Sequence, residues 1–119
     1  ALMNAADALP GYQALMPAGM TFVNEAAARV VPTITAYRPG RAAKTINFPI
    51  LFCISDTDTV TPPAQTLAYA RTAPRGEIKR YDAGHFDFYT GEAFEALAHD
   101  QAEFFTRHLH PVPAKGATA

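Results

Sequence analysis

The chain has 119 residues, enough for one domain, and 49% hydrophobic with 18% charged residues is the balance of a folded globular protein rather than a disordered one. A formal net charge of −1, with the basic residues scattered, excludes the electrostatic footprint of a nucleic-acid or anionic-membrane partner. A single cysteine, Cys53, excludes an internal disulfide framework, no apolar run approaches the ~18 residues of a membrane span, and the start lacks a signal-peptide pattern; the expectation is a cytoplasmic protein.

The sequence opens on Ala1 rather than Met, so the true N-terminus is expected upstream. Residues 1–22 are rich in Ala, Leu, Met, Gly and Pro, and the breakers Pro10-Gly11 and Pro17-Ala18-Gly19 stop any long helix. Here Tyr12, Leu15, Met16, Met20 and Phe22 either line an apolar substrate pocket or simply cover the core. Residues 22–31 read as a helix with Asn24 as its N-cap. Pro32 begins a new turn or kinks the old one, the helical pattern resumes as far as Tyr37, and Arg38-Pro39-Gly40-Arg41 ends it in a short basic linker.

Residues 47–54 are the stretch around which the rest of the chain is organised. Apart from Pro49, the run from Phe48 to Ile54 is apolar without alternation, the pattern of a strand covered on both faces in a parallel sheet. Within it Cys53 reads as a small buried hydrophobe rather than a reactive thiol. Asp56 and Asp58 lie just past the carboxyl end of this strand, the edge on which open α/β sheets carry their sites. Thr61-Pro62-Pro63 then opens a helix that continues over residues 65–73 with Leu67, Ala70 and Ala73 on one face, and Pro74-Arg75-Gly76 closes it. Residues 77–81 form a second strand whose charged side chains mark a sheet edge. Strand, helix, strand predicts a right-handed crossover between parallel strands. Residues 82–89 are a loop at a carboxyl end, in which Asp87 supports the loop and Phe86, Phe88 and Tyr89 pack under it.

A last helix is predicted over residues 92–108, with Thr90 as a candidate cap and a stripe of Phe94, Leu97, Ala98, Phe104, Phe105 and Leu109. His99 reads as a solvated residue of this helix, and His108 and His110 have too few companions for a metal site. Residues 110–119 have nothing to bury and form a fraying tail. The domain reading is therefore a cap-to-core helical segment over 1–45, a core over 46–109 and a flexible tail over 110–119.

Two of these stretches carry a family resemblance. The run Pro49-Ile50-Leu51-Phe52-Cys53-Ile54-Ser55-Asp56-Thr57-Asp58, with Pro62-Pro63 after it, resembles the penultimate-strand motif of α/β-hydrolase enzymes, with Asp58 in the acid position and Ser55 where glycine is usual. Asp82-Ala83-Gly84-His85-Phe86 resembles the glycine-histidine signature that brings the catalytic histidine, and the helix after it resembles the family's C-terminal helix. The resemblance covers about residues 46–109; residues 1–45 resemble, more weakly, the stretch leading from the cap region back into the core. It implies an α/β fold that is the C-terminal part of a hydrolase core: two parallel strands, a helical crossover and flanking helices. It also implies a carboxylic ester hydrolase acting through an acyl-serine on a small-molecule substrate, without cofactor, with Asp58 and His85 as two members of its triad.

Serine is a poor nucleophile until a histidine removes its proton, and a carboxylate must hold that imidazole in the right tautomer. Asp58 and His85 suit those roles, the alternatives being a turn or helix-capping acid for Asp58 and an ordinary loop histidine for His85; Asp56 reads as a turn or capping acid. The family's Gly-x-Ser-x-Gly turn, expected before Asp58, does not occur in the sequence. Its one serine, Ser55, lacks flanking glycines, and Cys53 cannot substitute from inside a strand. The chain alone is therefore expected to be inactive. The alternative is a non-catalytic remnant or association module with an exposed sheet edge, and either reading leaves the chain a homo-oligomer or the remainder of a longer polypeptide.

Overall fold

A computed structural model describes residues 5–21, 23, 25 and 27–110. In chain order they form helices α1 (Ala8–Ala14) and α2 (Val30–Ala36), a 3-10 helix (Pro39–Thr45), strand β1 (Ile50–Ser55), helix α3 (Pro63–Ala70), strand β2 (Gly76–Tyr81), a second 3-10 helix (Phe86–Tyr89) and helix α4 (Gly91–His108). The architecture is mixed α/β around a two-stranded parallel sheet.

The register pairs Ile50 with Gly76 and Ser55 with Tyr81, so the two strands finish level with each other. Past that point the ladder runs one step further, the amide of Asp56 donating to the carbonyl of Tyr81 at 2.8 Å. Level strand ends are what bring the loop after β1 and the loop after β2 to the same sheet edge. A helix connects the two parallel strands: Pro62 and Pro63 open α3, where a missing amide costs nothing, and Ala70 is its buried face. Gly76 starts β2 so close to the end of the preceding turn that a Cβ would stand 2.9 Å from the Ala73 methyl.

Several expectations are corrected. The helix predicted over 22–31 begins only at Val30 and runs through Pro32 to Ala36. A start at Val30 places Pro32 in the first turn, where its absent N–H is not needed; a helix begun earlier would need that N–H and would clash with the ring. Asn24 and Phe22 lie outside the described residues, as do residues 111–119 of the predicted tail. Pro10-Gly11 does not break α1, because Pro10 again falls in the first turn of a helix of only 7 residues. Thr90 occupies the N-cap position of α4 but makes no side-chain capping bond, and Gly91 takes the left-handed φ of 71° that starts the helix.

Burial is thinner than the apolar run promised. In β1 only Ile54 and Ser55 are buried, the other residues being half-buried, and Phe48 just before the strand is 60% exposed. The α4 stripe divides in the same way: Phe104 is buried, Leu97 and Ala98 half-buried, and Phe94, Phe105 and Leu109 exposed. Tyr12, Leu15 and Met20 do not cover a core either, since all three are exposed.

The charged residues of β2 have partners that a bare edge strand would not supply. Glu77, Lys79 and Tyr81 alternate along the strand and therefore share one face. On that face Arg107 grips Glu77 with two N–H donors at 3.1 and 2.7 Å, and His108 lies 3.0 Å from the same carboxylate. Asp100 accepts from both Lys79 and the Tyr81 hydroxyl, each at 2.7 Å. This polar seam docks α4 on β2. Burial raises the Tyr81 phenol well above its usual range, reinforced by Asp100.

Candidate active site

Asp58 sits three residues beyond the end of β1 and His85 at the turn into the second 3-10 helix, and the sheet edge brings them together: His85 Nδ1 lies 2.9 Å from Asp58 Oδ2. The Asp58 side chain is 9% exposed and that of His85 23%. Burial by itself pushes the Asp58 carboxyl upward, yet its net position is below the ordinary carboxylate value. The Thr61 hydroxyl and amide, the His85 imidazole and the Val60 amide together outweigh the desolvation. Those bonds are short: Oδ1 accepts the amides of Val60 and Thr61 at 2.8 and 2.6 Å, and Oδ2 accepts the Thr61 hydroxyl at 2.6 Å. Asp58 is thus both the turn acid that its local sequence supports and the partner of a histidine, with one oxygen given to the turn and the other shared between Thr61 and the ring.

An ionised carboxylate has no proton to give, so the hydrogen of the Asp58–His85 bond belongs to Nδ1. In the neutral ring that bond places the remaining lone pair on Nε2, the arrangement a general base requires. Two rings restrict the imidazole: Phe86 meets it edge-on with centroids 5.0 Å apart, and Tyr89 stands tilted at 6.1 Å. Tyr89 is itself 54% exposed, so it borders the histidine rather than packing under the loop as predicted.

The loops are tied to each other independently of the pair. Ser55, buried at the end of β1, donates its hydroxyl to the carbonyl of Ala83, and the Thr57 amide donates to that same carbonyl at 3.3 Å. On the histidine side, Asp87 Oδ2 accepts the amide of Gly84 at 2.6 Å, an approach so close that a Cβ at Gly84 would stand 3.2 Å from that oxygen. Asp56 does not join the site; it pairs with Arg80 at 2.8 Å on the exposed side of the strand ends. Neither candidate for a nucleophile is available: the Ser55 hydroxyl is engaged, and Cys53 is half-buried in contact with the Tyr81 hydroxyl, its thiol raised by burial.

Asp87 supports the loop as predicted, while the supporting role of Thr61 and Ser55 and the particular partner of Asp87 are what sequence reasoning missed. For Thr61 a signal existed, since an aspartate with free amides two and three residues on, just ahead of a proline-opened helix, is the pattern of an Asx turn. Ser55 and Asp87 act across the two loops or on a single amide, and no local pattern announces that. A groove beside the end of β2, bordered by Asp82, Asp87, Thr90 and Glu92, includes neither Asp58 nor His85. Among the described residues no group of three or more His, Cys, Asp and Glu side chains is placed to hold a metal ion, and no helix is long and apolar enough to cross a membrane.

What the geometry defines is a mixed α/β protein carrying an acid–histidine pair at the carboxyl edge of a parallel sheet. The chain is similar to the quorum-quenching protein AidA of Acinetobacter baumannii (strain MDR-ZJ06), with 51% identity over 107 residues, 90% of this chain and 35% of that protein. It is also similar to two Escherichia coli proteins, each described as an uncharacterized 31.7 kDa protein in the traX-finO intergenic region, with 36% identity over 76 residues, 61% of this chain and 27% of theirs. The chain therefore spans about a third of the length of the curated relatives it matches. No protein-family model matches it, and no solved structure matches it.

Proposed function

We propose that this chain is the C-terminal portion of a serine hydrolase of the α/β-hydrolase fold, with a right-handed crossover through α3, and that it contributes Asp58 as the acid and His85 as the base of a Ser-His-Asp triad. The observation that carries this is the 2.9 Å bond between His85 Nδ1 and a carboxylate held below its ordinary pKa. In that role Nε2 takes the proton of a serine hydroxyl as the oxygen attacks a carbonyl carbon, Asp58 stabilises the imidazolium that forms, and the proton then passes to the leaving group. An acyl-serine results and water completes the cycle. Nucleophile and oxyanion donors belong to other parts of a longer polypeptide.

The bond cleaved is proposed to be a carboxylic ester in a small molecule. The resemblance of the Asp58 and His85 stretches to the hydrolase motifs is what supports this class. Hydrolysis of an activated ester by a longer protein carrying this sequence tests the proposal. His85→Ala is expected to lower kcat at least about 10³-fold with the fold intact, the scale on which triad members act; undiminished turnover would overturn it. The purified 119-residue chain is expected to show none.

A second reading, an association module, is favoured by a different observation: β1 pairs only with β2 among the described residues, leaving its other edge open.

A further inference from the structure

Helix α1 touches the chain neighbours of both members of the pair. Asp7 stands in its N-cap position, yet the carboxylate makes no capping bond to the helix. Oδ1 of Asp7 accepts instead the hydroxyl of Thr59, the residue after Asp58, at 2.6 Å. One turn along, Gly11 lies against the ring of Phe86, the residue after His85, so closely that a Cβ would stand 2.3 Å from it. Tyr12 meets the same ring edge-on with centroids 6.3 Å apart. A polar contact on the acid side and a close-packed contact on the histidine side therefore come from one short element that is distant from both in sequence.

Resting on the acid–base reading above, we infer that α1 is a positioning element for the Asp58–His85 pair, with Asp7 acting through Thr59 and Gly11 acting through Phe86. The physical requirement is strict, since a proton-transfer pair works only when held within about 0.5 Å of its productive geometry. Ser55 and Thr57 tie the two loops at the strand ends through Ala83, on the strand side of Asp58 and His85. Contact of α1 with Thr59 and Phe86 holds the two segments on their far side. It also explains glycine at position 11, where any side chain would push the ring that borders the imidazole.

The experiment is ¹⁵N NMR of the His85 imidazole in its neutral form in a longer protein carrying this sequence, alongside thermal melts. In the unaltered chain Nδ1 carries the hydrogen and Nε2 is bare. Thr59→Val, which removes the donor at an exposed position, and Gly11→Ala, which crowds Phe86, are each expected to shift His85 toward the mixed tautomers of an untethered imidazole at temperatures where the chain is still folded. Thr59→Ser restores the donor and is expected to keep the Nδ1–H form. Folded Thr59→Val retaining the full Nδ1–H signal overturns the inference, and this variant decides the matter if Gly11→Ala does not fold. An unaltered chain whose His85 carries its hydrogen on Nε2 overturns the acid–base reading itself, and the two failures are thereby distinguished.

Discussion

Thr61 gives Asp58 both its hydroxyl and its amide, and the hydroxyl bonds the very oxygen that faces His85. Because those bonds outweigh the burial of the carboxylate, Asp58 is held below its ordinary pKa and its pairing stabilises the fold in full above that ordinary value. The contribution is lost as pH falls through the lower folded value. Thr61→Val should therefore raise the midpoint at which the Asp58 carboxyl titrates, read by ¹³C NMR; an unmoved midpoint would show that the hydroxyl bond does not matter. Ser55 invites a second test, since it replaces the glycine that the resemblance expects. Its buried hydroxyl bonds Ala83, so Ser55→Ala should cost about 1 kcal/mol in chemical denaturation, and Ser55→Gly a further ~0.5–1 kcal/mol through backbone freedom. A stabilised glycine variant would contradict this. Asp58 and His85 were legible in the sequence because each stands in a stretch that resembles a motif of the hydrolase family. The roles of Ser55 and Asp7 were not, because their partners lie on a neighbouring loop or on a distant segment and are set by tertiary contact alone.

Helix α4 and strand β2 are held by side chains that read, one at a time, as ordinary surface charge. Glu77 is lowered to about 2, chiefly by Arg107 and then by His108, so its link to the end of α4 persists through mild acid and loosens only as pH falls from the ordinary range near ~4 toward that value. Glu77→Gln should speed amide hydrogen exchange over residues 104–108 at neutral pH and abolish the acid dependence between those limits. Exchange unchanged by the substitution would show that the seam is not held there. Sequence reasoning placed both strands, α3 and α4 within a few residues, since an apolar run, an opening Pro-Pro and a long amphipathic stretch are local signals. It misplaced α2, where alanine-rich helix propensity over 25–28 competed with Pro32 and the proline set the start. It read β2 as an edge strand, which it is among the described residues, but not that the alternation of Glu77, Lys79 and Tyr81 presents one face to a polar partner.

Across the whole molecule the apolar core is slight. Its buried apolar members among the described residues are Ala8, Ala43, Ile54, Ala70, Ala83 and Phe104, four of them alanines, while Phe48, Phe94, Phe105 and Leu109 stay exposed. The radius of gyration, 18.2 Å, exceeds the ~13 Å of a compact domain near this size. A two-stranded sheet with one open edge is marginal in water, and exposed apolar side chains of this number call for a covering surface. We predict that the isolated chain dimerises or aggregates at micromolar concentration in light scattering; a compact monomer that melts cooperatively would contradict this. The relatives, about three to four times as long as the matched stretch, fit a sheet completed by other strands of a longer polypeptide. The most direct measurement is covalent labelling of such a longer protein with a fluorophosphonate, then peptide mapping. The label should fall on one serine outside this sequence and be lost on His85→Ala and strongly slowed on Asp58→Asn. Labelling that survives His85→Ala at an undiminished rate would contradict the assignment of Asp58 and His85 as acid and base.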